Sequence, residues 1–175
     1  ILMPRIDLLL TERRLTKSRA QAQNAIKCKR VAVFLQGRWQ TISKAGTQVE
    51  EDCEIRIEPD SADKYVSRGA LKLEGALLAS GLDIKNAKVL DVGQSTGGFT
   101  DCALQFGASQ VVGVEVGHDQ LDQKLCDDER VICLEGMNAR HLTPGALAPH
   151  FPDNGFDLII MDVSFISQTK ILGNF

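Results

Sequence analysis

No stretch of this sequence stays apolar for the ~20 residues that a membrane-spanning helix needs. There is also no long amphipathic or alternating segment of the kind that builds a membrane barrel. A membrane-inserted cytolysin is therefore disfavoured. The first ten residues are broken by Pro4, Arg5 and Asp7 and do not read as a signal peptide. No Cys-x-x-Cys occurs among Cys28, Cys53, Cys102, Cys126 and Cys133, an odd number of widely spaced thiols. That pattern suits a reduced, cytoplasmic protein rather than a disulfide framework. His118, His141 and His150 form no pair at ligand spacing, so no metal site is expected. Neither a phosphate-binding loop ending in Gly-Lys-Ser/Thr nor the dinucleotide pattern Gly-x-Gly-x-x-Gly is present.

The 175 residues are enough for one or two small domains, and 43% hydrophobic content argues for a packed core. The net charge of −3 hides an asymmetry. Residues 1–35 carry eight basic side chains against Asp7 and Glu12, a balance of +6, whereas 50–60 is acidic. A basic front on an acidic chain is a candidate nucleic-acid footprint; the alternative is a solvated helix face.

The most informative stretch is Val89-Leu90-Asp91-Val92-Gly93-Gln94-Ser95-Thr96-Gly97-Gly98-Phe99-Thr100. An apolar strand with Lys88 before it runs into a loop of small residues, and a helix is expected over Phe99–Phe106. Strand, glycine turn and helix bring backbone N–H groups close to a nucleotide-like ligand. The loop holds no lysine, and Asp91 would repel a pyrophosphate while favouring a cation or a hydroxyl. S-adenosylmethionine carries a sulfonium, an ammonium and ribose hydroxyls, and no phosphate. A second strand, Val111 to Val114, ends in Glu115, 24 residues after Asp91, about where an acid takes ribose hydroxyls in this topology. A glycine turn flanked by two solvated acids is the alternative.

Around that unit the pattern predicts helices over Pro4–Arg14 and from Ser18, and strands at Val31–Leu35, Trp39–Ile42 and Cys53–Ile57. A helix running to Ser80 and stopped by Gly81 comes next. Beyond Glu115, a helix over Asp119–Cys126, a strand at Val131–Leu134, a strand at Asp157–Asp162 and a further helix after Ser164 continue the alternation. Strands separated by helices imply a doubly wound parallel sheet with ligands at its carboxyl edge.

Arg5-Ile6-Asp7-Leu8-Leu9-Leu10 and Thr16-Lys17-Ser18-Arg19-x-x-Ala22, followed by a basic residue, a strand and a glycine turn, resemble the RNA-binding module of ribosomal protein S-four type. The resemblance implies RNA contacts from Arg5, Ser18, Arg19, Gln21, Lys27, Lys29 and Arg30. Cys28-Lys29-Arg30 stands where that module usually has a glycine. Lys64-Tyr65-Val66-Ser67-Arg68-Gly69-x-x-Lys72-Leu73, the Leu90–Thr100 stretch, Val116-Gly117-x-x-Gln120-Leu121, Asn138-Ala139-Arg140 and Asp162-Val163-Ser164-Phe165-Ile166-Ser167 extend it. Together they resemble the haemolysin A (TlyA) family, an S-four-like module joined to an FtsJ-like ribose methyltransferase.

The resemblance implies an α/β fold: a small α+β RNA-binding module at 1–59, a linker at 60–66 and a partial Rossmann-like methyltransferase domain at 67–175. It implies methyl transfer from S-adenosylmethionine to ribose 2′-hydroxyls of ribosomal RNA. Cofactor contacts fall on Asp91, Gly93, Ser95, Gly97, Gly98, Phe99, Thr100, Glu115, Val116, Asn138 and Asp162. Gln94 stands at a position where a small residue is expected and would crowd the cofactor. Of the family's catalytic Lys-Asp-Lys-Glu set, Lys72 matches the first lysine and Asp162 the aspartate. The other two belong to later strands, and Lys170 is not assigned to either. The chain is thus expected to be a C-terminally truncated enzyme that keeps most cofactor-binding elements and does not methylate RNA unaided. A non-catalytic RNA-binding protein is the competing reading.

Overall fold

The computed structural model describes residues 3–163 and divides the chain into two compact units, Ile1–Asp63 and Lys64–Phe175. The first unit begins with helices α1 (Ile6–Glu12) and α2 (Arg19–Lys27). Ser18 starts α2 because its side chain accepts a hydrogen bond from the Gln21 N–H, relieving one of the unpaired donors of the first turn. Strands β1 (Val31–Leu35), β2 (Arg38–Thr41) and β3 (Ile55–Ile57) form an antiparallel sheet ordered β2-β1-β3. Alternation in β1 sends Val31 and Val33 into a core with Ile6, Leu10, Ala22 and Ile26. On the opposite face Phe34 meets Trp39, and Arg56 lies 4.0 Å over the Trp39 ring. The expected third strand, 53–57, starts two residues late, at Ile55.

The second unit opens with α3 (Ala70–Ser80), closed by Gly81 at φ 66°. Then come β4 (Lys88–Val92), α4 (Gly98–Gln105), β5 (Gln110–Val114), α5 (Gln123–Cys126), β6 (Val131–Leu134), α6 (Pro144–Leu147) and β7 (Leu158–Met161). The four strands are parallel in the order β6-β5-β4-β7. Both faces of this sheet are covered, which is why β4 and β5 are apolar almost without interruption. Val89 and Val111 pack with Leu73, Leu77 and Cys102 on one side. Leu90, Val92, Val112 and Val114 pack with Leu142 and Leu147 on the other.

The period-two alternation has a consequence for Asp91. It shares a face with Val89 and therefore lies beneath α4. Strand order also reverses at β4, with β5 and β6 to one side and β7 to the other. Loops leaving such a switch point diverge and open a crevice at the carboxyl edge.

Two sequence expectations change. The helix expected over 119–126 shrinks to α5, capped by the Asp122 side chain. The expected linker at 60–66 does not end at 66, because Tyr65 is buried in the second unit, where its hydroxyl donates to Glu74. The Val66 N–H likewise donates to Asp101 at 2.9 Å. Residues 61–64 form a 3₁₀ turn. The helix expected after Ser164 and Lys170 lie outside the described residues. Among the described residues no helix is long and apolar enough to cross a membrane.

Candidate active site

A cavity of about 870 Å³ opens at the carboxyl edge of the parallel sheet. Four groups of residues wall it: Ser67, Gly69 and Lys72 at the start of α3; the loop after β4; Val114 to Val116 with Gln120 after β5; and Met137 to Arg140 after β6. Asp162 and Val163, after β7, complete it. The loop after β4 needs glycine twice. Gly93 sits at φ 82°, and a Cβ there would lie 2.8 Å from Val163 Cγ1. Gly97 sits at φ 91°, and a Cβ there would overlap Leu125 and Leu121. Only glycine takes both the left-handed conformation and the close approach.

Glu115 stands on the cavity wall with its carboxylate fixed. One oxygen accepts from the Ser95 N–H at 2.8 Å and the other from the Gly117 N–H at 2.9 Å. Opposite, Lys72 Nζ lies 2.7 Å from Asp162 Oδ2. Ninety positions apart in sequence, these two are brought together by α3 and the end of β7. Their side chains are 66% and 44% exposed, so the pair adds at most about 1 kcal/mol to stability.

Of the cofactor residues expected from sequence, Gly93, Ser95, Gly98, Phe99, Glu115, Val116, Asn138 and Asp162 line the cavity, as does Lys72. Asp91, Gly97 and Thr100 do not. Asp91 is a correction to the reading of an acid aimed at the ligand: it is 1% exposed and supports the loop from behind. The Thr100 hydroxyl donates to Asp91 Oδ2 at 2.7 Å, while Asp91 Oδ1 has no hydrogen-bond partner among the described residues. Burial pushes the Asp91 carboxyl up to about 7, against the pull of Thr100, and the negative charges of Asp162 and Glu115 add to the rise.

Gln94 lines the cavity, but its side chain does not fill it as its size suggested. It is 3% exposed, turns in over Gly113 and donates to Thr100 Oγ1 at 2.9 Å. Its Oε1, like Asp91 Oδ1, is a buried acceptor without a partner among the described residues. A fixed carboxylate on the wall of a cavity whose glycine loop carries no cationic side chain suits a positively charged, phosphate-free ligand such as S-adenosylmethionine. Sequence reasoning left out Ser67, Gly69, Gln120, Met137, Ala139 and Arg140, which reach the cavity from segments far apart in the chain. Most of them sit inside the quoted motifs, which was the available signal.

In the first unit, Ser18, Arg19, Lys27 and Lys29 are exposed, as is Arg5. Gln21 is tied down: its Oε1 accepts from the Lys17 N–H and its Nε2 donates to Asp63. Arg30 departs from the expected RNA set. Its side chain is 10% exposed and pairs with Asp63 at 3.0 Å and Asp60 at 3.7 Å, while also donating to the Glu58 carbonyl. That arginine is occupied inside the module. Lys29, in the Cys28-Lys29-Arg30 stretch, takes the left-handed φ of 58°.

A family model described as FtsJ-like methyltransferase matches residues 65–175. The chain is 41% identical to "Hemolysin A" of Brachyspira hyodysenteriae over 167 residues, 95% of this chain and 65% of that one. It is 39% identical over 168 residues to a Mycobacterium tuberculosis protein named 16S/23S rRNA (cytidine-2′-O)-methyltransferase TlyA, 96% of this chain and 59% of that one. A solved structure of a hemolysin-type protein from Streptococcus thermophilus superposes with a TM-score of 0.64 at 36% identity, over 98% of this chain and 60% of that one. The chain thus spans about three-fifths of the length of the relatives it matches.

Proposed function

We propose, because the chain belongs to the FtsJ-like methyltransferase family, that the cavity holds S-adenosylmethionine and that its mouth places a ribose 2′-hydroxyl of ribosomal RNA for methylation. The observation that carries this reading is the Lys72–Asp162 pair, at 2.7 Å in the lining of a cavity that Glu115 also lines. When bound, the cofactor supplies a methyl carbon activated by sulfonium. The chain's own residues have three tasks. Glu115, braced by two backbone N–H groups, accepts from vicinal hydroxyls. The loop at 93–99 lines the cavity and presents no cationic side chain to it. Asp162 accepts a hydrogen bond from the incoming hydroxyl, holds Lys72 beside it and would take the hydroxyl proton as the oxygen gains the methyl, with S-adenosylhomocysteine as the departing product.

The fixed positions of these groups matter more than their strength. An ion pair this exposed stabilises the fold little, so Asp162→Ala should leave the structure standing and remove the alignment. The first unit supplies RNA affinity through phosphate contacts, which carry no base information by themselves.

Calorimetry and labelling test the reading together. The 1–175 chain should bind S-adenosylmethionine and S-adenosylhomocysteine, and Glu115→Gln should weaken both about tenfold. Any label passed from methyl-tritiated cofactor to ribosomal RNA should be recovered on 2′-O-methyl nucleosides and vanish in Asp162→Ala. Robust transfer would show that Lys72 and Asp162 suffice without two further groups. Absence of cofactor binding, or label on the bases, overturns the assignment. RNA binding without cofactor binding would instead favour the non-catalytic reading.

A further inference from the structure

Asp7 is a charged residue with no exposed surface, in the first turn of α1. Burying a carboxylate is costly unless donors surround it, and here they do. Arg5 Nε donates to Oδ1 at 3.0 Å and a terminal Arg5 nitrogen to Oδ2 at 3.1 Å. Arg19 Nε and Gln23 Nε2 converge on the same Oδ2, at 3.0 and 3.1 Å. Burial would raise the Asp7 carboxyl, but the hydrogen bonds from Arg5, Gln23 and Arg19 overcome it and hold the group well below the usual carboxylate range.

The way the two arginines are gripped is informative. A guanidinium has five N–H donors in a rigid fork. Asp7 takes two from Arg5 and only the Nε–H from Arg19. Both terminal nitrogens of Arg19 and the outer edge of Arg5 have no other acceptor among the described hydrogen bonds. The side chains are 44% and 51% exposed, buried at the anchored edge and wet at the tip. Long arginines normally lose considerable rotamer freedom when a ligand fixes them. These two are fixed already, side by side on one oxygen.

From this we infer that Asp7 is a positioning residue: it aligns Arg5 and Arg19 into a paired clamp for neighbouring phosphates of one RNA strand. The inference rests on the reading of the first unit as an RNA-binding module. It also reverses a simple charge argument, under which a carboxylate between two arginines weakens binding to a polyanion.

Binding of a fluorescein-labelled ribosomal RNA hairpin, titrated at several salt concentrations, tests the clamp in the whole 1–175 chain. Asp7→Asn keeps the volume and raises the net charge by one, yet should weaken affinity about tenfold and flatten the salt dependence by one to two phosphates' worth, about 0.7 each for single strands. Arg19→Lys keeps the charge but loses the fork, and should lose nearly as much as Arg19→Ala. Trp39 fluorescence reports whether the first unit stays folded. A folded Asp7→Asn that binds as tightly as the unaltered chain, or more tightly, overturns the clamp. Should Asp7→Asn unfold, the lysine variant decides: affinity and salt slope within twofold of the unaltered chain overturn it. An unaltered chain without salt-dependent RNA binding would overturn both the clamp and the module reading, and cofactor affinity measured alongside would show that the loss is confined to the first unit.

Discussion

Asp7 in the first unit and Asp91 in the second are both almost completely buried, and the two are held in opposite ways. Asp7, in the first unit, has four hydrogen bonds from three side chains, two of them arginines. Asp91, in the second, accepts from the Thr100 hydroxyl, and its other oxygen has no hydrogen-bond partner among the described residues. The first carboxyl is driven far down and the second up to about 7. Burial acts in the same direction on both, so the difference comes from the donors. A buried acid surrounded by cations is a finished structural element that can organise them. A buried acid left half-satisfied beside a cavity is a site whose charge depends on what occupies that cavity.

The largest effect that separates the two is the response to pH, and its sign differs. A folded state that keeps Asp91 protonated up to about 7 holds more protons than the unfolded chain above pH 4. Stability of the second unit should therefore fall between about pH 4 and 7, by up to roughly 4 kcal/mol from this group. Asp91→Asn should flatten that slope, as read by hydrogen exchange of the β4 amides across the range. Asp7 predicts the reverse for the first unit. Its contribution is complete above the unfolded carboxyl's pKa of about 4 and disappears only as pH falls below the usual carboxylate range. Trp39, the one tryptophan of the sequence, lies in that unit and makes the acid transition visible. Equal pH slopes in the two units would end the contrast.

A second, smaller effect tests why the Asp91 side is arranged as it is. Gln94 reaches Thr100, the donor to Asp91, only because Gly113 leaves room for its carboxamide; a Cβ at 113 would overlap it. Gly113→Ala should cost about 1–3 kcal/mol by overpacking. In a Gln94→Ala background most of that cost should vanish, a coupling of at least about 1 kcal/mol in a double-mutant cycle by denaturant melts. Additive losses would mean that Gln94 does not occupy the space over β5.

Much of this was readable beforehand, for identifiable reasons. The strand–loop–helix around Gly93 and Gly97 announces itself because left-handed turns and close backbone approach demand glycine. Glu115 was legible as the acid at the end of an apolar strand. The fate of Asp91 was within reach of the same reasoning: alternation puts it on the face of Val89, hence under α4, but its place near the strand's end was weighed rather than its face. Arg30 misled because charge composition counts a buried, paired arginine and an exposed one alike. Gln94 was judged by its size, whereas its direction depends on Gly113, a neighbour across the sheet that no local window contains. The meeting of Lys72 with Asp162 depends on the β6-β5-β4-β7 order, and residue spacing alone does not specify strand order.

The smallest effect compares how the two units make their tight turns. At the cavity the second unit turns left-handed on Gly93 and Gly97, with Ser95 between them at φ 48°, and the first unit puts Lys29 at φ 58° between α2 and β1. A side chain in that conformation costs about 1 kcal/mol relative to glycine. Lys29→Gly should therefore stabilise the first unit by about that amount, seen as a higher Trp39 melting midpoint. Lys29 is exposed on the basic face, so the same change should weaken binding of the RNA hairpin and reduce its salt slope by about 0.7. Opposite movements of stability and affinity would show that the lysine is retained in a strained turn for its charge. A gain in stability with RNA binding unaltered would remove Lys29 from the contact face and leave the strain without a functional counterpart.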